Sequence, residues 1–174
     1  MKTSRIGTAI LALSLCHVAA AAWTFDIQAR DHVKESPLDT GLVVSPGSRL
    51  TLSADPADLW RAGDSDTPAR REGNADGLTG YGLHSYGGAS FLYGTLVGQI
   101  EDGAYFKVGT SFDQVVGQGG SLRLLYWDTY TGDNSGCVKA TVRITPAHAP
   151  VPGALLLAGL GTALVGWMGR QRSL

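Results

Sequence analysis

Cysteine is nearly absent. The 174 residues contain two, Cys16 and Cys137, and only Cys137 lies outside the apolar N-terminal run, so the middle of the chain has no internal disulfide available to it. Its stability must come from packing or from a bound ion. Cys137 itself reads as a small side chain at the start of a strand, because no Cys/His cluster or catalytic partner lies near it in sequence. Charge is also scarce: Asp, Glu, Lys and Arg make up 17% of the chain, against about 25% in ordinary globular proteins. With 24 glycines, roughly twice ordinary usage, this excludes a long-helix or coiled-coil protein. An excess of positive charge is missing as well. All 15 acidic residues lie within 23–149, whereas four of the 14 basic ones (Lys2, Arg5, Arg170 and Arg172) lie in the ends, which leaves ten basic against 15 acidic groups. A middle section with net charge −5 is not expected to have a nucleic-acid partner.

Catalytic signatures are lacking too. There is no G-x-S-x-G elbow and no H-E-x-x-H, and no spacing singles out a carboxylate pair for glycoside hydrolysis. His32, His84 and His148 are isolated from one another and read as surface or turn residues. The run GYGLHSYGG at 80–88 is glycine-rich but follows no strand-then-helix pattern, so it is not a phosphate cradle. An enzyme is not expected.

The two ends read as addresses. Lys2 and Arg5 precede an apolar run from Ile6 to Ala22 that closes in small residues, the layout of a secretory signal cleaved after Ala22. A lipoprotein signal at Cys16 is excluded, because Leu15 stands where a small residue is needed. At the other end APVPGALLLAGLGTALVGWMGRQRSL places Pro150 and Pro152 before an apolar stretch that ends at Met168, then Arg170 and Arg172. As a helix, 154–168 would be ~22 Å long, short of the ~30 Å hydrocarbon core, and the arginines would stay cytoplasmic. This order resembles the PEP-CTERM sorting signal of exosortase-processed bacterial proteins, with Val151-Pro152-Gly153 in place of the usual Val-Pro-Glu-Pro. The resemblance implies an exported chain that reaches the cell envelope, surface or matrix, with transient membrane contact through 150–174 and an exosortase-type processing partner.

Residues 23–149 remain, a usual size for one domain. Their periodicity is two. Val138, Ala140, Val142 and Ile144 alternate with Lys139, Thr141, Arg143 and Thr145; Trp23, Phe25, Ile27 and Ala29 alternate with polar residues; so do Leu50 and Leu52. Each reads as a half-buried strand. Residues 90–100, 104–108 and 120–127 are more continuously apolar, as strands covered on both faces are. Glu101-Asp102-Gly103 marks a hairpin turn. Short strands between Gly, Asp, Asn and Pro clusters predict an all-β fold, a small two-sheet β-sandwich. Residues 55–86 show little periodicity and are too long for an idle connection. They are functional or disordered, and they hold Trp60, Asp64, Asp66, Asn74 and Asp76.

The sharpest local feature is LLYWDTYTGDNSG at 124–136. Asp128, Asp133 and Asn134 put three side-chain oxygens on one loop, and Ca²⁺ takes six to eight oxygen ligands, backbone carbonyls among them. The same residues also make an ordinary turn.

A family resemblance joins these blocks. LWRAG at 59–63, NADGL at 74–78, GTLVGQIEDGAYFKVGTS at 94–111 and YWDTYTGDNSG at 126–136 together resemble the bacterial galactophilic lectins of the PA-I type and their relatives in PEP-CTERM proteins. The resemblance implies a two-sheet sandwich with one Ca²⁺ at its apex, coordinated directly by two sugar hydroxyls. Asp128 matches the first aspartate ligand, Asn134 the asparagine before Ser-Gly, and Asp133 stands at a second asparagine. Thr131 would supply a backbone carbonyl, and so would a residue at 60–62, assigned to Ala62. The loop is shorter than in those lectins. Their sugar-contacting His-Pro segment is here Gly73-Asn74-Ala75-Asp76, so galactose preference does not transfer, and Asn74 or Asp76 would make the hydroxyl contact. Trp60, Trp127 and Tyr130 are the aromatic rings available to face a pyranose, with core packing as the alternative for each, less so for Tyr130, which sits in the loop itself. The expected function is calcium-dependent carbohydrate binding without catalysis, and the alternative is a structural or adhesive envelope component that binds no sugar.

Overall fold

The computed structural model describes residues 21–63 and 71–147. The expected export signal (apart from Ala21 and Ala22), the sorting segment at 150–174, Asp64, Asp66 and His148 lie outside the described residues. Twelve strands are formed among those described: β1 Ala22–Gln28, β2 Leu38–Val44, β3 Arg49–Ala54, β4 Trp60–Arg61, β5 Glu72–Gly73, β6 Leu83–Tyr86, β7 Ala89–Leu92, β8 Leu96–Ile100, β9 Phe106–Lys107, β10 Ser111–Val115, β11 Gly120–Tyr126 and β12 Ser135–Thr145.

Alternation in sequence becomes alternation of burial. Val138, Ala140 and Val142 of β12, Ile27 of β1 and Leu50 and Leu52 of β3 are fully buried, while Lys139 and Arg143 face solvent. The long β12 organises one sheet. Along one edge it pairs antiparallel with β1; along the other it meets β3 and then β4, with β10 outside β3 and β5 outside β4. The second sheet runs β2-β11-β8-β9. Its inner residues Leu122, Leu124, Tyr126, Leu96 and Ile100 close the core against the first sheet. Burying each such side chain contributes roughly 1.5–3 kcal/mol. Phe106 of β9 packs on Gly98 of β8 so closely that a Cβ there would enter its ring. The fold is an all-β two-sheet sandwich.

The apolar continuity of β8 and β11 has a physical cause. Val97 and Leu125, on the outer face of the second sheet, form with Trp127 a separate buried cluster covered by Ala89, Phe91 and Tyr105. Ala89 and Phe91 come from the hairpin of β6 and β7, whose first strand and turn lie in the glycine-rich run at 80–88, with Gly87-Gly88 at positive φ in the turn.

Two expectations are corrected. Residues 90–100 are not one strand: the chain turns at Tyr93-Gly94-Thr95, where Thr95 N–H donates to Leu92 O at 3.2 Å, and β7 and β8 belong to different sheets. Residues 55–86 are not one loop either, since β4, β5 and β6 fall inside it and Asp76 bridges to Thr95. Such two-residue pairings carry no periodicity that a sequence can show.

Candidate functional site

At one end of the sandwich β11 hands the chain to β12 through 127–134. Asp128 leaves β11 6% exposed, and its Oδ1 accepts from Thr129 N–H at 2.5 Å and Tyr130 N–H at 3.3 Å. Its Oδ2 accepts from Asn134 Nδ2 at 2.9 Å. Asn134, 1% exposed, spans three elements: Nδ2 also donates to Ala29 O at 3.3 Å, and Oδ1 accepts from Gly63 N–H at 3.2 Å. Every polarity in that set agrees, so the amide orientation is fixed by its partners. The backbone N–H of Asn134 donates to Thr131 O at 3.1 Å and closes the turn. Gly63 has φ +74, and a Cβ on it would overlap the Arg71 guanidinium and lie 3.0 Å from Asp133 Oδ2. The loop thus needs glycine at this contact.

No lysine or arginine forms an ion pair with Asp128 or Asp133 among the described residues. The guanidinium of Arg71 instead stands 5.2 Å from the Tyr81 ring centroid. Beneath the loop, Tyr126 is fully buried and its hydroxyl has no hydrogen-bond partner among the described residues. Burial pushes its phenol far up, and the negative charge of Asp128, with Tyr81 and Asp133, pushes the same way. Its ring meets Trp60 edge to face at 4.6 Å.

Four of the sequence-based site residues are brought together: Asp128, Thr131, Asp133 and Asn134. The others differ. Ala62 donates its N–H to Arg71 O at 2.9 Å, and because the next N–H, that of Gly63, points at Asn134, the Ala62 carbonyl in the same trans peptide points away from it. Gly63, not Ala62, meets the loop. Trp60 is 1% exposed and donates from Nε1 to Asn74 O at 3.1 Å, so its ring is core and no sugar platform. Asn74 is used locally: Nδ2 donates to Pro56 O at 3.3 Å and Oδ1 accepts from Asp76 N–H at 2.9 Å. The carboxylate of Asp76 is taken by Thr110, at 2.8 Å from its Oγ1, and by Lys107 at 3.6 Å. Burial works to raise the Asp76 carboxyl, but the two Thr110 hydrogen bonds and then Lys107 outweigh it and hold it below the usual carboxylate range. Trp127 is fully buried, its Nε1 donating to His84 O at 2.8 Å. Tyr130 alone of the three aromatic candidates is open, at 69% exposure.

An oxygen-liganded cation fits part of this loop. Buried charges are normally paired or metal-bound, yet among the described residues Asp128 is met by N–H donors and, at 3.5 Å, by the Thr129 hydroxyl, with no cationic side chain. Asp133 is half-buried, and the Thr131 carbonyl has a second lone pair. Asn134 fits less well as a ligand, since its oxygen is committed to Gly63 and its NH₂ to Asp128. Among the described residues no group of three His, Cys, Asp or Glu is gathered, so such an ion would rely on two carboxylates and neutral oxygens.

No family model matches the chain, and no curated protein does. The fold is similar to that of a lectin. The N-terminal domain of EclA, described as a PllA-like lectin, superposes with a TM-score of 0.54 and 19% identity, over 70% of this chain and 95% of that one. At that identity the likeness concerns the fold.

Proposed function

We propose that the domain binds carbohydrate without turning it over, at the end of the sandwich formed by 128–134, and that the binding depends on Ca²⁺. The observation that carries this reading is Asp128, a buried carboxylate with no cationic side chain paired to it among the described residues, on one loop with the half-buried carboxylate of Asp133. Asp128, Asp133 and the Thr131 carbonyl would hold the ion, and a bound Ca²⁺ supplies open coordination positions for two sugar hydroxyls. Asn134 fixes the direction of Asp128, and Tyr130 offers its ring to the apolar face of a pyranose. The lectin-like fold supports the reading. Export and C-terminal processing belong to the same proposal and rest on the sequence of the two ends; an intact-mass spectrum from the native host, in which a species retaining Arg172 dominates, would remove the processing step.

A glycan array probed with the purified protein, with and without excess chelator, tests the function. Binding is expected in Ca²⁺ and lost on chelation, weakened by Tyr130→Ala, and retained in Trp60→Phe, which keeps a buried ring. Binding that survives chelation overturns the metal role. The structural or adhesive alternative is favoured by the Asn134 amide, which already closes the loop without an ion; a blank array in Ca²⁺ would select it.

A further inference from the structure

We propose that the groove beside this loop is a second subsite that takes the next sugar of an oligosaccharide, so that the protein recognises a glycan chain and not a lone terminal sugar. The proposal rests on the carbohydrate reading above. The groove has a volume of about 720 Å³, within the ~300–1,000 Å³ of ligand clefts. One wall is Thr129–Gly132 of the candidate site itself; the other is the connection from β1 to β2, with Arg30, Asp31 and Glu35.

Both walls are held before any ligand arrives. His32 N–H donates to Gln28 O at 3.0 Å, His32 Nδ1 accepts from Gln28 N–H at 3.0 Å, and His32 O accepts from Tyr126 N–H at 2.7 Å. Ser36 N–H closes onto Val33 O at 2.9 Å, and Val33 is buried. Lys34, with a side chain only 8% exposed, pairs with Glu35 at 3.3 Å and stands 4.5 Å from the Tyr86 ring centroid. Across the groove Asp128 holds the N–H groups of Thr129 and Tyr130. Preorganised walls spare a ligand the cost of ordering them.

The lining chooses the ligand class. Arg30, Asp31, Glu35, Ser36, Thr129 and Thr131 line the groove together with Val33 and the exposed Tyr130. Donors and acceptors of both kinds at close spacing, with one aromatic face, suit a polyol with an apolar ring side. An apolar chain would leave those groups unpaired.

The test compares methyl pyranosides of the common hexoses with their di- and trisaccharides by titration calorimetry on the purified protein. The longer ligands are expected to bind roughly tenfold more tightly, the worth of one or two net hydrogen bonds. The double variant Arg30→Ala/Glu35→Ala is expected to remove that gain while the methyl glycoside affinity stays unchanged, which also shows that the variant is folded. Backbone amide signals of 30–36 should shift with the trisaccharide and not with the methyl glycoside. Equal affinities at all lengths, or a gain that survives the double variant, overturn the subsite and leave the carbohydrate reading standing. If no ligand of any length binds, that reading falls and the subsite with it.

Discussion

Asn134 shows how much one buried amide can do. It joins the end of β1 at Ala29, the β4 extension at Gly63 and the end of β11 at Asp128. Asn134→Ala strands three buried polar groups, and each unsatisfied group costs about 1–3 kcal/mol. A stability loss of at least roughly 3 kcal/mol is expected from three such groups, read from the urea midpoint at unchanged m-value. A loss below about 1 kcal/mol would show that water replaces the amide and that the clip is not structural. Trp60 and Tyr130 make the complementary point. Both are aromatic residues beside a turn, yet one lies against Tyr126 in the core and the other stands in solvent. Nothing local distinguishes them, because the burial of Trp60 is set by the pairing of β4 with β12 and β5.

At the scale of elements, the hairpin of β6 and β7 acts as a cover for Trp127. It is joined to Trp127 by the His84 carbonyl, and the His84 ring lies stacked on Tyr93, 5.1 Å between centroids. Burial, and then the positive charge of Lys34, lower the His84 pKa from its ordinary 6.5, with Asp128 and Glu35 opposing. A base whose folded pKa is depressed binds its proton more readily in the unfolded chain. Stability is therefore full above pH 6.5 and declines as pH falls from there through the lower folded value. Melting temperatures between pH 8 and 5 should show this decline, and it should be shallower in His84→Gln. An identical slope in the variant would assign the decline to other groups. The continuous apolar character of β8 and β11 announced that something covers them. It did not say what, since the covering side chains Ala89, Phe91 and Tyr105 come from stretches of chain on either side of β8.

For the whole molecule, the one cysteine among the described residues, Cys137, is free, which leaves packing and any bound ion to hold the sandwich. Binding to the native state alone stabilises it by an amount set by ligand concentration over Kd, ~2.7 kcal/mol at a hundredfold excess. On the proposed function, Ca²⁺ raises the melting temperature, chelator reverses the rise, and Asp128→Asn removes most of the difference. Asp128→Asn keeps the volume of the side chain and offers one oxygen in place of two. A melting temperature indifferent to Ca²⁺ and chelator in the wild-type protein would leave 128–134 as a purely structural loop.

The sequence by itself determined the two-faced strands, because an alternation of apolar and polar residues has one physical reading when a core is present. It determined the turn at 101–103 and the all-β class, through period two and the Gly, Asp and Asn breaks. It also brought Asp128, Asp133 and Asn134 together, since they lie on one short loop. Tertiary structure decided everything that depends on which strand lies beside which: that Gly63 and not Ala62 faces Asn134, that Asp76 is spent on Thr110 and Lys107, and that residues 30–36 stand across a groove from Tyr130. Ala29 and Gly63 lie 105 and 71 residues from Asn134 along the chain. The pairing of β12 with β1 and β4 brings both within hydrogen-bond reach of it.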